Sequence, residues 1–151
     1  MHYLLPDFYV IVVTLVFIIL LVSMTYMSIR TKRRKIKWLV IGLTTSLFAV
    51  FVTCFIQMPV YAYSDGDAIG VKQLVGRKEF KQSEITRITA ISEHQINNST
   101  RLFGSGGLCG YIGWFKNPLI GKYYMITNNL HDLLLIETPS RKYVINCRLN
   151  E

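Results

Sequence analysis

The chain has 151 residues, a net charge of +8 and a hydrophobic content of 51%, which is one domain's length and the top of the globular range for apolar residues. The charge is unevenly divided. Residues 1–58 carry six basic and one acidic side chain, whereas residues 59–151 carry eleven basic and eight acidic ones. The second part is only mildly basic, which argues against a dedicated nucleic-acid-binding protein.

Two apolar segments lie in the first part. Residues 8–29 and 38–58 contain no charged side chain, and each is long enough to cross a hydrocarbon core of about 30 Å as a helix. A helix of a soluble core would show a polar stripe, which neither has. A cleaved signal peptide is disfavoured, because residues 1–7 lack a basic region and no small-residue cleavage site follows. We predict a transmembrane helical hairpin over residues 8–58, after a short N-terminal flank.

The loop between the two segments, residues 30–37, is strongly basic. Its six cationic side chains are Arg30, Lys32, Arg33, Arg34, Lys35 and Lys37. The positive-inside rule places such a loop in the cytoplasm. We therefore predict a multi-pass membrane protein with the remaining domain on the extracytoplasmic side. The same side chains could also bind anionic lipid, at about 1 kcal/mol each, but fixing the topology is the favoured interpretation.

Residues 59–151 are predicted to form an all-β domain. Turn residues at 64–67 separate two β-prone segments and predict a hairpin. Residues 85–91 partly alternate between apolar and polar, as in a half-buried strand. The polar residues 92–100 suggest a loop. Three more strands, predicted to form a meander, are expected at 122–127, 132–138 and 142–147. Such regularly spaced short strands indicate a sandwich or barrel, and no helix is predicted in this part.

Residues 102–115 combine glycine with bulky apolar residues. The notable members are Gly104, Gly106, Gly107, Gly110, Gly113, Trp114 and Phe115. A dinucleotide-binding fingerprint would need glycine where Cys109 stands, and the ending of a phosphate-binding P-loop is missing. Glycine within strands is typical of bends and close backbone approach. We predict a sharply bent hairpin whose aromatic residues fill the space over the glycines. Contact of some of these aromatic residues with the membrane interface is a second, less favoured interpretation that is compatible with the first.

No arrangement of residues typical of catalysis is found. His131 lies beside Asp132 in a turn, where a histidine is usually solvated, and Asp65 and Asp67 bracket a hairpin turn that favours aspartate. No metal or cofactor site is predicted, because no cysteine and histidine spacing suits zinc and the turn offers too few oxygen ligands for calcium.

Cys109 and Cys147 would form a disulfide only in an oxidising compartment, and the sequence leaves this open. A second open question concerns Arg77, Lys78 and Lys81, which follow the first predicted hairpin. They are interpreted either as a solvated basic loop or as a weak contact with anionic lipid headgroups, helped by the membrane tether.

The second part of the chain resembles the bacterial pleckstrin-homology-like (PH) domains attached to membrane helices. The resemblance rests on VYAYSDGDAIGVKQLVG as a first hairpin, on EITRITAI as a turn and strand, and on the glycine–aromatic segment continued by KYYMITNN. It covers residues 60–147 and implies a bent, partly open barrel or sandwich closed by a C-terminal helix. Only RLNE follows Cys147, which is too short for that capping helix. One opening is therefore expected to be uncovered, or covered by the membrane helices or a partner.

The resemblance implies a fold more securely than a function. We expect a non-enzymatic membrane protein without a cofactor, which presents its PH-like domain to a protein partner or self-associates through an exposed sheet edge. One alternative is a sensor of anionic lipid headgroups, with Arg77, Lys78 and Lys81 as the contact. Another is an accessory subunit of a membrane enzyme or transporter.

Overall fold

The structure, a computed structural model, describes residues 2–65 and 67–147. Two long helices, α1 (Phe8–Arg30) and α2 (Arg34–Ile56), precede a β-rich part that contains the short helix α3 (Glu93–Ile96) and a 3-10 turn (Gln82–Glu84). The strands of the described part are β1 (His2–Tyr3), β2 (Pro59–Asp65), β3 (Ala68–Gln73), β4 (Arg77–Lys81), β5 (Arg87–Ile91), β6 (Thr100–Gly106), β7 (Tyr111–Asn117), β8 (Gly121–Thr127), β9 (Leu133–Glu137) and β10 (Lys142–Asn146).

Helices α1 and α2 pack side by side as a hairpin, with the rings of Phe17 and Phe51 stacked at 5.9 Å. Both helices are long and apolar enough to cross a membrane, and almost none of their length is buried inside the protein. Only residues 31–33 of the predicted basic loop are non-helical. The helix α2 begins earlier than predicted because lysine and arginine are good helix formers and no glycine or proline interrupts the segment.

The strands form two open sheets packed as a β-sandwich, in agreement with the predicted all-β architecture. The four-stranded sheet has the order β1-β2-β3-β4, and the six-stranded sheet the order β5-β9-β10-β8-β7-β6. Alternate side chains of each strand point between the sheets. The buried residues Val71 and Phe80 of the first sheet pack there against Ile136 and Ile145 of the second.

A second apolar cluster covers the outer face of the six-stranded sheet. It includes the fully buried Tyr123 and Val144, over which Ile96 and Ile120 pack. Ile96 belongs to α3, so the prediction of a helix-free loop over residues 92–100 is wrong at this point. The short helix forms because Ser92 and Gln95 make a capping box, in which each side chain bonds the other residue's backbone N–H.

The predicted meander of the last three strands is also wrong. Strand β10 lies between β8 and β9, pairing parallel to β8 and antiparallel to β9. Residues 128–132 therefore cross over the end of β10. The Asn146 side chain makes this possible, because its amide nitrogen donates to the His131 carbonyl at 2.7 Å and its oxygen accepts the Asn128 N–H at 2.8 Å.

The N-terminal flank packs with the β-rich part. Strand β1 pairs antiparallel with β2, and Leu4 is buried in the core between the sheets. The Asp7 carboxylate, just before α1, accepts the Leu130 backbone N–H at 2.9 Å. The flank therefore fixes the start of α1 against the crossing loop 128–132.

The end of α2 is attached to the first sheet. The backbone N–H groups of Leu74 and Val75, in the turn between β3 and β4, donate to the carbonyls of Met58 at 2.8 Å and Ile56 at 3.1 Å. Such bonds satisfy carbonyl groups that have no partner within a helix that ends there. Gly66, in the predicted 64–67 turn, and residues 148–151, where the question of the capping helix falls, lie outside the described residues.

Candidate functional site

The four-stranded sheet covers only part of the inner face of the six-stranded sheet, and the uncovered part borders a cavity of about 640 Å³. One wall consists of the last two turns of α2, and the other of β6, β7 and β8. The lining residues are Ala49, Val50, Thr53, Cys54, Gln57, Phe103, Gly104, Ser105, Ile112, Gly113, Trp114 and Tyr124. This volume is within the range of ligand pockets, and the mainly apolar lining suits a hydrocarbon group.

Two glycines leave the sheet wall of this cavity without side chains. Gly104 and Gly113 are opposite each other in the β6–β7 hairpin, with φ angles of +117° and +141°. A β-carbon on either residue would overlap the backbone of the opposite strand. The close approach of the two strands therefore requires glycine at both positions, and it exposes bare backbone to the cavity.

Aromatic and cationic side chains form the rim of the cavity. The rings of Trp114 and Tyr124 make an edge-to-face contact at 5.1 Å. The Lys122 ammonium group lies 4.8 Å, and the Arg141 guanidinium 5.6 Å, from the centre of the Trp114 ring. Within the described residues, neither cation forms an ion pair with a carboxylate. Cation–π contacts fix them beside the opening while their charge stays available.

The remaining members of the glycine–aromatic segment lie outside the cavity. Gly106 is the last residue of β6, and Gly107 and Gly110 lie in the tip of the hairpin, where Gly110 packs against the Thr127 carbonyl. Phe115 points to the opposite face of the sheet from Trp114, where its ring stacks with Tyr123 at 5.9 Å.

The tip of the same hairpin contacts α1. The Cys109 backbone N–H donates to the Thr14 hydroxyl at 3.1 Å, and the rings of Tyr9 and Tyr111 stack at 6.4 Å. A β-carbon at Gly107 would come within 2.7 Å of the Tyr9 ring. Cys109 is a buried thiol without a disulfide, so the bond with Cys147 that the sequence left open is not formed.

Arg77, Lys78 and Lys81 lie on the edge strand β4, not in a loop, and they do not form one cluster. Arg77 is exposed and pairs with Glu79 at 3.3 Å. Lys78 points to the other side of the strand, 5.3 Å from the centre of the Tyr143 ring. Arg77 directly follows the turn attached to the end of α2, so of the three it is the residue nearest to that helix along the chain.

The basic residues of the predicted loop 30–37 lie at the end of the helical hairpin opposite to the sandwich. Three of them, Arg34, Lys35 and Lys37, occupy the first turn of α2. Cations are unfavourable at a helix N-terminus, because the helix dipole is positive there. Their presence therefore needs a reason outside the helix itself, and topology or anionic lipid supplies one.

The titratable groups beside the hairpin are held in their neutral forms. Burial, with a smaller effect of Asp7, raises the pKa of Tyr111 to about 12. Burial also raises the pKa of the Tyr124 hydroxyl, and nearby Tyr143 adds to the shift. Burial likewise raises the pKa of the Cys109 thiol, which disfavours the nucleophilic thiolate. Of these three groups only Tyr124 lines the cavity.

A family model described as "Bacterial PH domain" matches residues 61–147, more than half of the chain. The chain belongs to the bacterial PH domain family. The match confirms the predicted PH-like fold and nearly coincides with the span of the resemblance. No curated protein and no solved structure gives a match.

The matched residues form one of the two walls of the cavity. Its sheet wall, β6–β8, lies inside the matched residues, whereas its α2 wall lies before them. Reasoning from sequence missed Lys122 and Arg141, because neither belongs to a recognisable binding motif. The pairing of β7 with β8 brings Lys122 to Trp114, and the parallel pairing of β10 with β8 brings Arg141, which directly precedes β10.

Proposed function

We propose that this bacterial PH domain protein is a non-enzymatic protein of the bacterial cytoplasmic membrane that holds its domain at the membrane surface for binding a protein partner. Two apolar helices, exposed along most of their length, support the membrane placement. The basic end of the hairpin favours the cytoplasm, which would put the PH domain on the extracytoplasmic side. The hydrogen bonds that connect α1 and α2 to the domain support a fixed orientation of the domain relative to the helices.

The observation that carries the protein-binding role is the free edge of β5. This strand pairs only with β9 among the described strands, and it has one charged residue, Arg87. By contrast, four of the five residues of β4, an edge strand of the other sheet, are charged, which is a common protection against unwanted pairing. An edge with few charges accepts an extended segment through main-chain hydrogen bonds.

A pocket beside β5 supplies a place for side-chain recognition. Its volume is about 340 Å³, and Ile91, Leu119 and Leu135 contribute apolar surface to it. Leu119 is 81% exposed, so it is available to a partner. In strand addition, pockets of this kind select the alternate side chains of the added segment.

Photo-crosslinking in the native membrane tests this proposal. A photoreactive phenylalanine analogue at Ala90, an exposed residue of β5, should yield a discrete protein adduct. The same analogue at Ser83, also exposed but outside the strand, serves as the control. An adduct of two chains would assign the edge to self-association, and an adduct with a membrane enzyme or transporter would assign an accessory role. Equal labelling from both positions, or no protein adduct from Ala90, would contradict the proposal.

Contact with anionic lipid headgroups is a second candidate function, favoured by the position of Arg77. The preceding residues Leu74 and Val75 are 46% and 63% exposed and attached to the end of α2. An apolar turn followed by a cation is suited to the membrane interface. Replacing Arg77 with glutamine should weaken salt-sensitive binding of anionic lipid, whereas Lys81→Gln at the far end of β4 should have less effect.

A further inference from the structure

We propose that the cavity between α2 and the β6–β8 sheet binds one acyl chain of an anionic membrane phospholipid, whose phosphate is held by Lys122 and Arg141. This inference rests on the membrane placement of α2 in the proposed function, and it is independent of the β5 edge. It does not involve Arg77, Lys78 or Lys81.

The first support is that the cavity continues the apolar surface of a membrane-spanning helix. Ala49, Val50 and Thr53 face it from the last two turns of α2, and Val50 is 52% exposed. A cavity beside these turns opens to the same surroundings as the helix, which for a span are lipid chains. An apolar space of this kind is filled favourably by a hydrocarbon group and unfavourably by water.

The second support is the shape of the sheet wall. Because Gly104 and Gly113 carry no side chain, the hairpin backbone itself forms the surface beside Ile112 and Trp114. A β-carbon at either glycine would overlap the opposite strand, so the smooth wall is a necessary result of the hairpin geometry. A flexible chain can lie along such a wall, and Phe103, which is 78% exposed, extends it to the outside.

The third support is charge complementarity at the rim. Trp114 belongs to the lining of the apolar cavity and also to a smaller pocket that it shares with Lys122 and Arg141. Both cations lie over its ring and lack a carboxylate partner within the described residues. Lysine and arginine bind phosphate oxygens through charge-assisted hydrogen bonds. An apolar cavity with a cationic rim therefore matches a ligand with one hydrocarbon chain and an adjacent phosphate.

The test uses the full chain reconstituted in phosphatidylcholine vesicles that contain a phosphatidylglycerol with a photoactivatable group in one acyl chain. After irradiation, labelled peptides are mapped by mass spectrometry. We expect labelling of the β6–β7 hairpin peptide containing Phe103 and Trp114, beyond that of the membrane helices. Labelled phosphatidylcholine of the same chain length should label this peptide less, since it offers no net negative charge.

Two pairs of variants make the result specific. Thr53→Phe should fill the cavity and lower hairpin labelling by about tenfold, which corresponds to about 1.4 kcal/mol of binding free energy. Its control, Val52→Phe, adds the same ring to a neighbouring residue of α2 outside the lining. The double variant Lys122→Gln and Arg141→Gln should abolish the preference for phosphatidylglycerol. Arg87→Gln, which removes an exposed charge from β5 at the opposite edge of the same sheet, should preserve it.

Each other outcome overturns either this inference or its premise. Hairpin labelling that Thr53→Phe leaves unchanged, or equal labelling by the two lipids, would contradict the acyl-chain site. Labelling confined to α1 and α2 would contradict it as well, while leaving their membrane placement intact. Absence of labelling from the helices and the hairpin alike would overturn the membrane placement itself, and with it the proposed function.

Discussion

The β6–β7 hairpin meets the two long helices in different ways. Its tip is joined to α1 by the hydrogen bond from the Cys109 N–H to Thr14 and by the stacking of Tyr111 on Tyr9. Its body is separated from α2 by a cavity of about 640 Å³. The first contact is filled and specific, whereas the second leaves apolar surface without a protein partner.

This difference indicates a division of roles between the helices. Protein interiors are close-packed, and empty apolar space costs stability unless something occupies it. The α1 contact has the features of a structural joint that fixes the height of the domain above the helices. The α2 side has the features of a binding site, because its space is bounded by glycines that no other residue could replace. Four substitutions test this comparison, in order of decreasing expected effect.

The largest effect is expected for Gly113→Ala, which disrupts the hairpin on which both contacts depend. The new β-carbon would overlap the Phe103 carbonyl oxygen and require a φ of +141°. Strain of a positive φ and overpacking together predict a loss of about 2–5 kcal/mol. Thermal unfolding of the chain in detergent micelles measures this loss. Gly121→Ala, where φ is +84° and no atom lies nearby, should lose only the part of the unfolding free energy that comes from the positive φ. Equal losses in the two variants would contradict the overlap of the β-carbon with the opposite strand.

The next effect concerns the loop that fixes the start of α1. Asn146→Ala removes the acceptor of the Asn128 N–H and the donor to the His131 carbonyl. Buried groups left without partners predict a loss of about 3 kcal/mol. Hydrogen exchange should become faster in residues 128–131 before it does elsewhere. Asn98→Ala, at an exposed position after α3, should change the unfolding free energy by no more than about 0.5 kcal/mol.

A smaller effect is expected at the joint itself. Thr14→Val keeps the shape of the side chain but leaves the Cys109 N–H without an acceptor, which predicts a loss of about 1–2 kcal/mol. The amide of Cys109 should exchange faster with solvent deuterium. In the control Thr25→Val, the hydroxyl that is lost donates only to the Leu21 carbonyl of its own helix. If the Cys109 amide exchanges at the same rate in both variants, the tip is held by stacking on Tyr9 and not by this hydrogen bond.

The two apolar helices and the hairpin could be predicted from the sequence, because they depend on local sequence pattern. The uncharged segments are long enough for α1 and α2, and the glycine–aromatic segment indicates a hairpin. The sequence could not predict that β10 lies between β8 and β9, because this order depends on how the Asn146 side chain bonds a loop fifteen or more residues earlier in the chain. An asparagine near the end of a strand carries no visible sign of that role.

The cavity was not predictable for a related reason. It depends on the register that places Gly104 opposite Gly113 and on the position of α2 beside them. The rim depends on Lys122 and Arg141 meeting over Trp114, although they are far apart in the chain.

The smallest effect is expected where a side chain is enlarged beside the open space of the cavity instead of within the packed core. Ala49→Leu adds three carbon atoms to the α2 wall of the cavity, where there is room, so we expect a change in unfolding free energy within about 0.5 kcal/mol. The same substitution at Ala62, which is 1% exposed in the core between the sheets, should cost about 1–3 kcal/mol through overpacking. Chemical unfolding in micelles compares the two variants directly. A similar large loss for Ala49→Leu would mean that the α2 side is packed as tightly as the α1 joint, because only a filled interface penalises added volume.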